Sequence, residues 1–167
     1  MESKIITKKG TKLYFDLDEH YFEINYVKFL WQKRIAKIKC NSDIVGTIKK
    51  GVRQRSIFNP NCSYEINYFK DDYTAFKNSS GWQMKVINDT LSFSFKNNKD
   101  FLIFFNGRKI GKGVYNLSLS NRFVKIELIE EYRKYYFQTI LLFSVLSGHR
   151  YIKSQEGDLF ASKIDGL

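Results

Sequence analysis

The sequence predicts an all-β fold: a closed antiparallel β-barrel threaded by one hydrophobic C-terminal helix. Three observations carry that prediction. Short segments of apolar/polar alternation recur from the N-terminus to Ile129, turn-forming residues punctuate them, and Tyr135–Ser147 (YYFQTILLFSVLS) is apolar on almost every face. Alternation with one wet face is the mark of antiparallel strands. A helix hydrophobic all round must be buried on every side, and about 13 residues fall short of the ~20 that cross a bilayer. A barrel closed around the helix meets both conditions.

The elements follow in order. Asp16, Asp18 and Glu19 in FDLDEH lack the glycine and distal glutamate of a calcium loop and read as an acidic turn between two strands. Tyr21–Lys28 (YFEINYVK) points Phe22, Ile24 and Tyr26 one way, with Glu23, Asn25 and Lys28 outside the core. Ser63–Lys70 (SYEINYFK) repeats the pattern with Tyr64, Ile66 and Tyr68, and Thr90–Lys96 with Leu91, Phe93 and Phe95. Asn116–Ser120 continues it, and in Phe123–Ile129 the residues Phe123, Lys125 and Glu127 oppose Val124, Ile126 and Leu128. Turn signals lie between: Lys9-Gly10, Asn41-Ser42-Asp43, Asn59-Pro60-Asn61, Asp71-Asp72, Asn78-Ser79-Ser80-Gly81, Asn97-Asn98, Asn106-Gly107 and Ser120-Asn121. Their spacing of roughly 8–15 residues suits a sandwich or barrel. Asn106-Gly107 is the cleanest hairpin, because a type I′ turn needs positive φ at both central positions.

The spacing and the flanking residues predict a helix over 132–147. Glu130 and Glu131 suit its positive end, and Ser147-Gly148 followed by His149 and Arg150 closes it, while Arg133 and Lys134 run against the dipole. The competing reading is a buried strand of about seven residues, which would leave a hollow lipocalin-like barrel for an apolar ligand. The expected core sets Ile140, Leu141, Leu142, Phe143, Val145 and Leu146 against Phe22, Ile24, Tyr64, Ile66, Phe93, Phe95 and Ile126. Residues 1–150 form one barrel domain, and 151–167 a polar tail whose Leu159 and Phe160 can dock back. YFEINYVK and SYEINYFK stand 42 residues apart, each followed by an alanine among basic or polar residues (Ala36, Ala75). Duplication of a multi-stranded unit and convergent strand patterning both account for this.

At 167 residues, with 43% hydrophobic and 17% aromatic content, the chain has the composition of one globular domain. The N-terminus lacks the apolar run of a secretory signal, so a cytoplasmic protein is expected, peripheral at the membrane if it docks there. Cys40 and Cys62 then read as reduced thiols, and the sequons at Asn61, Asn78, Asn88 and Asn116 as chance matches in an Asn-rich chain. His20 and His149 sit in no nucleophile or metal motif, and no GxSxG, HExxH, P-loop or paired-cysteine pattern occurs. A non-catalytic protein without cofactor or metal is expected.

The net charge of +11 points to a polyanionic partner: a membrane surface, an acidic protein or nucleic acid. Basic residues fall in three groups: Lys33, Arg34, Lys37 and Lys39; Lys49, Lys50, Arg53 and Arg55; and Arg108, Lys109 and Lys112. The last two groups flank Gly51, Gly107, Gly111 and Gly113, where backbone amides can approach a phosphate. On one rim, Lys49, Lys50, Arg53, Arg108, Lys109 and Lys112 would bind anions, each worth ~1 kcal/mol near an anionic membrane. The alternative is a solvated surface whose lysines discourage edge pairing. Phe and Tyr mostly fill the core face and no RNP-like motif occurs, which ranks nucleic acid below lipid. Trp31 and Trp82, beside turns or charges, are candidates for exposure.

These features together resemble the tubby-like superfamily, which includes the Tubby C-terminal domain, phospholipid scramblases and the LURP-one-related proteins. The resemblance runs through Tyr21–Lys39, Asp43–Lys50 (DIVGTIKK), Tyr64–Lys77, Arg108–Lys112 and Phe123–Ser147 at the level of pattern. It implies about twelve strands closed around the central helix, association with phosphoinositides or membranes, and no hydrolytic chemistry. Tubby's C-terminal signature has no counterpart here, and the chain continues past the helix. A protein–protein module, such as a bacterial neutraliser of an acidic partner, is the alternative use of the same basic surface.

Overall fold

The computed structural model describes residues 3–26, 34–51, 63–78, 81–96, 100–117 and 122–148. Arg53, Trp31, Cys62, His149 and the tail 151–167 lie outside the described residues. Twelve strands run in chain order: β1 (Ser3–Lys9), β2 (Lys12–Leu17), β3 (His20–Tyr26), β4 (Arg34–Cys40), β5 (Asp43–Lys50), β6 (Ser63–Tyr68), β7 (Asp71–Asn78), β8 (Gly81–Val86), β9 (Asp89–Phe95), β10 (Asp100–Phe105), β11 (Arg108–Leu117) and β12 (Arg122–Leu128). Each pairs antiparallel with its neighbours in sequence, and β1 pairs with β12 to close the barrel. A 3₁₀ turn, Glu130–Tyr135, leads into the central helix α1 (136–148).

The alternation read from the sequence is the inward face. Phe22, Ile24, Tyr26, Tyr64, Ile66, Leu91, Phe93, Val124, Ile126 and Leu128 are all buried, and Phe95 is half-buried against them. Helix α1 fills the space they enclose: Ile140, Leu141, Leu142 and Val145 are fully buried on different sides. Its 13 residues rise about 20 Å, the length of a six-residue strand, so one helix fills the barrel from end to end. The hollow-barrel alternative is thereby overturned. Buried hydroxyls on the helix bond back along it, Ser144 Oγ to the Ile140 carbonyl at 2.7 Å and Thr139 Oγ1 to that of Tyr135 at 2.8 Å.

Aromatic contacts fix the direction of α1. Phe137 lies 5.4 Å from Phe22 and 4.3 Å from Tyr68, ring centre to ring centre, at the end where β2 turns into β3. Phe143 lies 5.4 Å from Tyr115, near the other end of the barrel. There the Tyr26 hydroxyl, which burial holds far above its ordinary pKa, donates to the Ser144 carbonyl at 2.7 Å.

Two sequence expectations need correction, and one open alternative narrows. Trp82 is buried inside the barrel, beside Tyr64. Asp71-Asp72 opens β7, and the turn before it is Phe69-Lys70. The described parts of the similar segments fall on β3 (21–26) and β6 (63–68), three strands apart and therefore running in opposite directions. No rotation that keeps the inward face inward superposes units offset by an odd number of antiparallel strands, so strand patterning accounts for the similarity. Both segments set a tyrosine opposite a small residue, Tyr26 against Ala36 and Tyr64 against Ala75.

A candidate polyanion-binding end

The up-and-down order sends alternate connections to opposite ends of the barrel. Connections after β1, β3, β5, β7, β9 and β11 share the end toward which α1 runs; the others share the end where α1 begins.

Among the described residues, the three strand positions next to each connection, together with the connections themselves, separate charge sharply. The first end carries Lys8, Lys9, Lys12, Arg34, Lys49, Lys50, Lys77, Lys96 and Arg122 against only Glu65 and Asp100. At the second end, Asp16, Asp18, Glu19, Asp43, Asp71, Asp72, Asp89, Glu127, Glu130 and Glu131 outnumber Lys4, Lys39, Lys70, Lys85, Arg108, Lys109, Arg133 and Lys134. The cations of the first end encircle it, coming from β1, β2, β4, β5, β7, β12 and the residue after β9. They also surround the C-terminal, negative end of α1, where the helix dipole favours positive charge.

Register shows that this crowding works against stability. Lys9 sits directly opposite Lys12; like charges facing across a strand pair are destabilising. Lys12, Asn25 and Lys37 continue the outward row from Lys9 across β2, β3 and β4. Glu23 relieves part of the repulsion, 3.4 Å from Lys12 Nζ and 3.6 Å from Lys39 Nζ. Its hydrogen bond and charge hold the Lys12 ammonium above its ordinary pKa.

Five of the six residues expected to form one patch are described, and they do not share a rim; Arg53 lies outside the described residues. Lys49 and Lys50 end β5 at the basic end, Arg108 and Lys109 begin β11 at the acidic end, and Lys112 lies along β11. In the closed ring β5 and β11 stand diametrically opposite, six strands apart. Two of the three β11 cations, Arg108 and Lys112, are also engaged. Arg108 Nη2 is 3.8 Å from Glu131 and its guanidinium 6.0 Å from the Tyr132 ring, while Lys112 Nζ is 3.1 Å from Glu127. Glu127 also meets Lys125 at 2.7 Å, and the hydrogen bonds from Lys125 and Lys112 hold its carboxyl below the usual range.

The glycines read as phosphate approaches serve other ends. Gly113 faces inward, and a Cβ there would fall inside the Phe101 ring; one on Gly111 would meet the Glu127 carbonyl and the Leu128 side chain. Gly107 is the second residue of the turn predicted from Asn-Gly, with φ of 50° at Asn106 and 79° at Gly107. Lys9, Lys12, Lys77, Lys96 and Arg122 were missed, because scattered single lysines form no local motif. Only the strand count brings them to one end.

Among the described residues no cluster of three or more His, Cys, Asp or Glu could hold a metal, and no helix is long and apolar enough to cross a membrane. The exposed His20 ring contacts the Asp18 carbonyl at 2.6 Å within its own turn. No family model, curated protein or solved structure matches the chain, so nothing in those comparisons names the tubby-like superfamily.

Proposed function

We propose that the chain is a non-catalytic, tubby-like barrel module that docks reversibly, from the cytoplasmic side, on anionic phospholipid or phosphoinositide headgroups through its basic end. One observation carries the reading: among the described residues, nine basic residues stand around that end against two carboxylates. A ring of charge around a barrel end suits an extended polyanionic surface, which can meet cations from several strands at once. A compact acidic protein would need its cations gathered on one side. At ~1 kcal/mol per cation near an anionic membrane, six or so give useful but reversible affinity. The helix-filled interior leaves the outer surface and the two ends to carry function.

The test is co-sedimentation of the purified protein with phosphatidylserine and phosphoinositide vesicles at low and high salt, with phosphatidylcholine vesicles as control. Binding is expected to anionic vesicles only and to fall steeply with salt. Lys49→Glu with Lys50→Glu, or Lys9→Glu with Lys12→Glu, should cut it by at least tenfold, while Arg108→Glu with Lys109→Glu should leave it within about twofold. Equal loss from the β11 pair, salt-insensitive binding or no binding overturns the proposal. A salt-sensitive stoichiometric complex with an acidic protein, with no vesicle binding, would assign the same end to a protein partner.

A further inference from the structure

Among the described residues six large apolar side chains are exposed, and four of them, Tyr21, Ile44, Phe69 and Ile87, stand at the end where α1 begins. They come from consecutive hairpins. Tyr21 and Ile44 are the second residues of β3 and β5, Phe69 lies in the turn from β6 to β7, and Ile87 in the turn from β8 to β9. Hydrogen bonds tie neighbouring turns together: the Tyr21 N–H donates to Asn41 Oδ1 at 3.1 Å, and the Phe69 N–H to the Val45 carbonyl at 2.9 Å. Four strand spacings of ~4.8 Å separate β5 from β9, so Ile44, Phe69 and Ile87 fall within about 19 Å.

Two of the four also strain the backbone. Phe69 and Ile87 sit at φ of 50° and 58°, a left-handed region uncommon for a bulky side chain and an outlier for a β-branched one. Asparagine and glycine take such positions readily, as Asn106-Gly107 does in the turn from β10 to β11. Phe69 leans edge-on to Tyr68, ring centres 4.7 Å apart, yet stays 70% exposed, and Ile87 is 90% exposed. Folding gains little from either side chain, whereas a partner would gain two protruding apolar anchors.

Charge selects the partner. Asp16, Asp18 and Glu19 lie near Tyr21, Asp43 beside Ile44, Asp71 and Asp72 after Phe69, and Asp89 after Ile87, against Lys39, Lys70 and Lys85. Lys39 is already met by Glu23 at 3.6 Å. The donors on Asp72 and Asp89 are the neutral amides of Asn67 and Asn106, at 2.6 and 2.7 Å, and leave the negative charge in place. These carboxylates would repel an anionic membrane and attract a cationic surface. Apolar anchors over about 19 Å among carboxylates match an amphipathic helix with apolar residues at i, i+3, i+4 and i+7, which covers about 21 Å in roughly 14 residues.

We infer that the turns from β3 to β9 dock a basic amphipathic helix of a partner protein, with Ile44, Phe69 and Ile87 against its apolar face and the surrounding carboxylates on its lysines and arginines. This surface lies at the opposite end from the proposed lipid contact and does not depend on it.

The probe is a synthetic amphipathic helix of leucine and lysine, about 14 residues long, labelled with fluorescein and titrated with the full chain by anisotropy. A leucine–glutamate helix of the same pattern and a serine–lysine peptide without an apolar face are the controls. The +11 chain as a whole repels a cationic peptide, so binding reports a local acidic site. The leucine–lysine helix should bind, and both controls at least tenfold more weakly. Phe69→Gly with Ile87→Gly should weaken it at least tenfold without lowering Tm, a loss that misfolding does not explain. Asp71→Asn with Asp72→Asn should weaken it severalfold, and Lys49→Glu with Lys50→Glu should leave it no weaker. No binding of the leucine–lysine helix, equal binding of either control, or indifference to the Phe69 and Ile87 changes overturns the inference. So does sensitivity of vesicle binding or of self-association to those two changes, which would give the turns to a membrane or to a second copy of the chain.

Discussion

Ile87 and Phe69 hold the first positions of two neighbouring hairpin turns with φ of 58° and 50°, and both side chains are exposed, Ile87 at 90%. Left-handed backbone at a β-branched residue is an outlier, costing ~1–3 kcal/mol, and an exposed side chain returns little packing. Ile87→Gly should therefore stabilise the barrel by ~1 kcal/mol, raising Tm by about 2–4 °C for a chain of this size; thermal unfolding followed by circular dichroism reads it directly. A fall in Tm would mean the side chain contributes packing after all. Gly113 presents the reverse case. Its missing Cβ is the space the Phe101 ring occupies, so Gly113→Ala should cost ~1–3 kcal/mol by overpacking. Phe101→Leu should recover part of that loss in the double variant, the coupling expected of residues in contact. These residues also mark what the sequence conceals. Asn106-Gly107 was legible because its chemistry matches its turn, whereas Ile87 and Phe69 contradict theirs and so leave no turn signal. Gly111 and Gly113 looked like loop glycines because inward-facing packing has no local signature.

Strands and helix were legible as elements because each carries its own period. Phe22-x-Ile24-x-Tyr26 and Leu91-x-Phe93-x-Phe95 alternate at every second residue, and 136–147 is apolar without a wet face, a combination that only a closed layer around a helix can bury. What alternation leaves open is where each strand sits in the ring, and the candidate site depends on that. Lys50 and Arg108 are neighbours in composition but belong to opposite ends, since the chain crosses the barrel five times, through β6 to β10, between the end of β5 and the start of β11. Pairing between elements has its own pH signature. Glu127 on β12 is held by Lys112 of β11 and by Lys125, and its folded pKa is depressed. A depressed carboxylate contributes stability that is fully present above its unfolded value, ~4.3, and is lost as pH falls through the lower folded value. Thermal unfolding between pH 6 and 3 should show the wild type losing more stability across that window than Glu127→Gln. Parallel pH profiles would mean the pairing contributes nothing.

For the whole molecule, the dominant property is that charge is sorted by end while apolar surface is sorted by face. Among the described residues the excess of positive charge lies at one end of the barrel, and the proposed docking would set that end against an anionic surface with the barrel axis upright. In that proposed pose the acidic end faces away from the surface, which is why substitutions there are expected to leave vesicle binding unchanged.

The helix that fills the barrel is also the last described element of the chain, following all twelve strands. During synthesis every strand therefore leaves the ribosome before the surface its inward face will rest on. Hairpins can form one by one, but β1 has no β12 to join and the nascent sheet has no interior until residues 136–148 emerge. Contacts so distant in sequence make folding slow and expose apolar strand faces while the chain waits. The solvent-side lysines that crowd the finished barrel then also serve the unfinished one, keeping its open edges apart from those of its neighbours until the helix arrives.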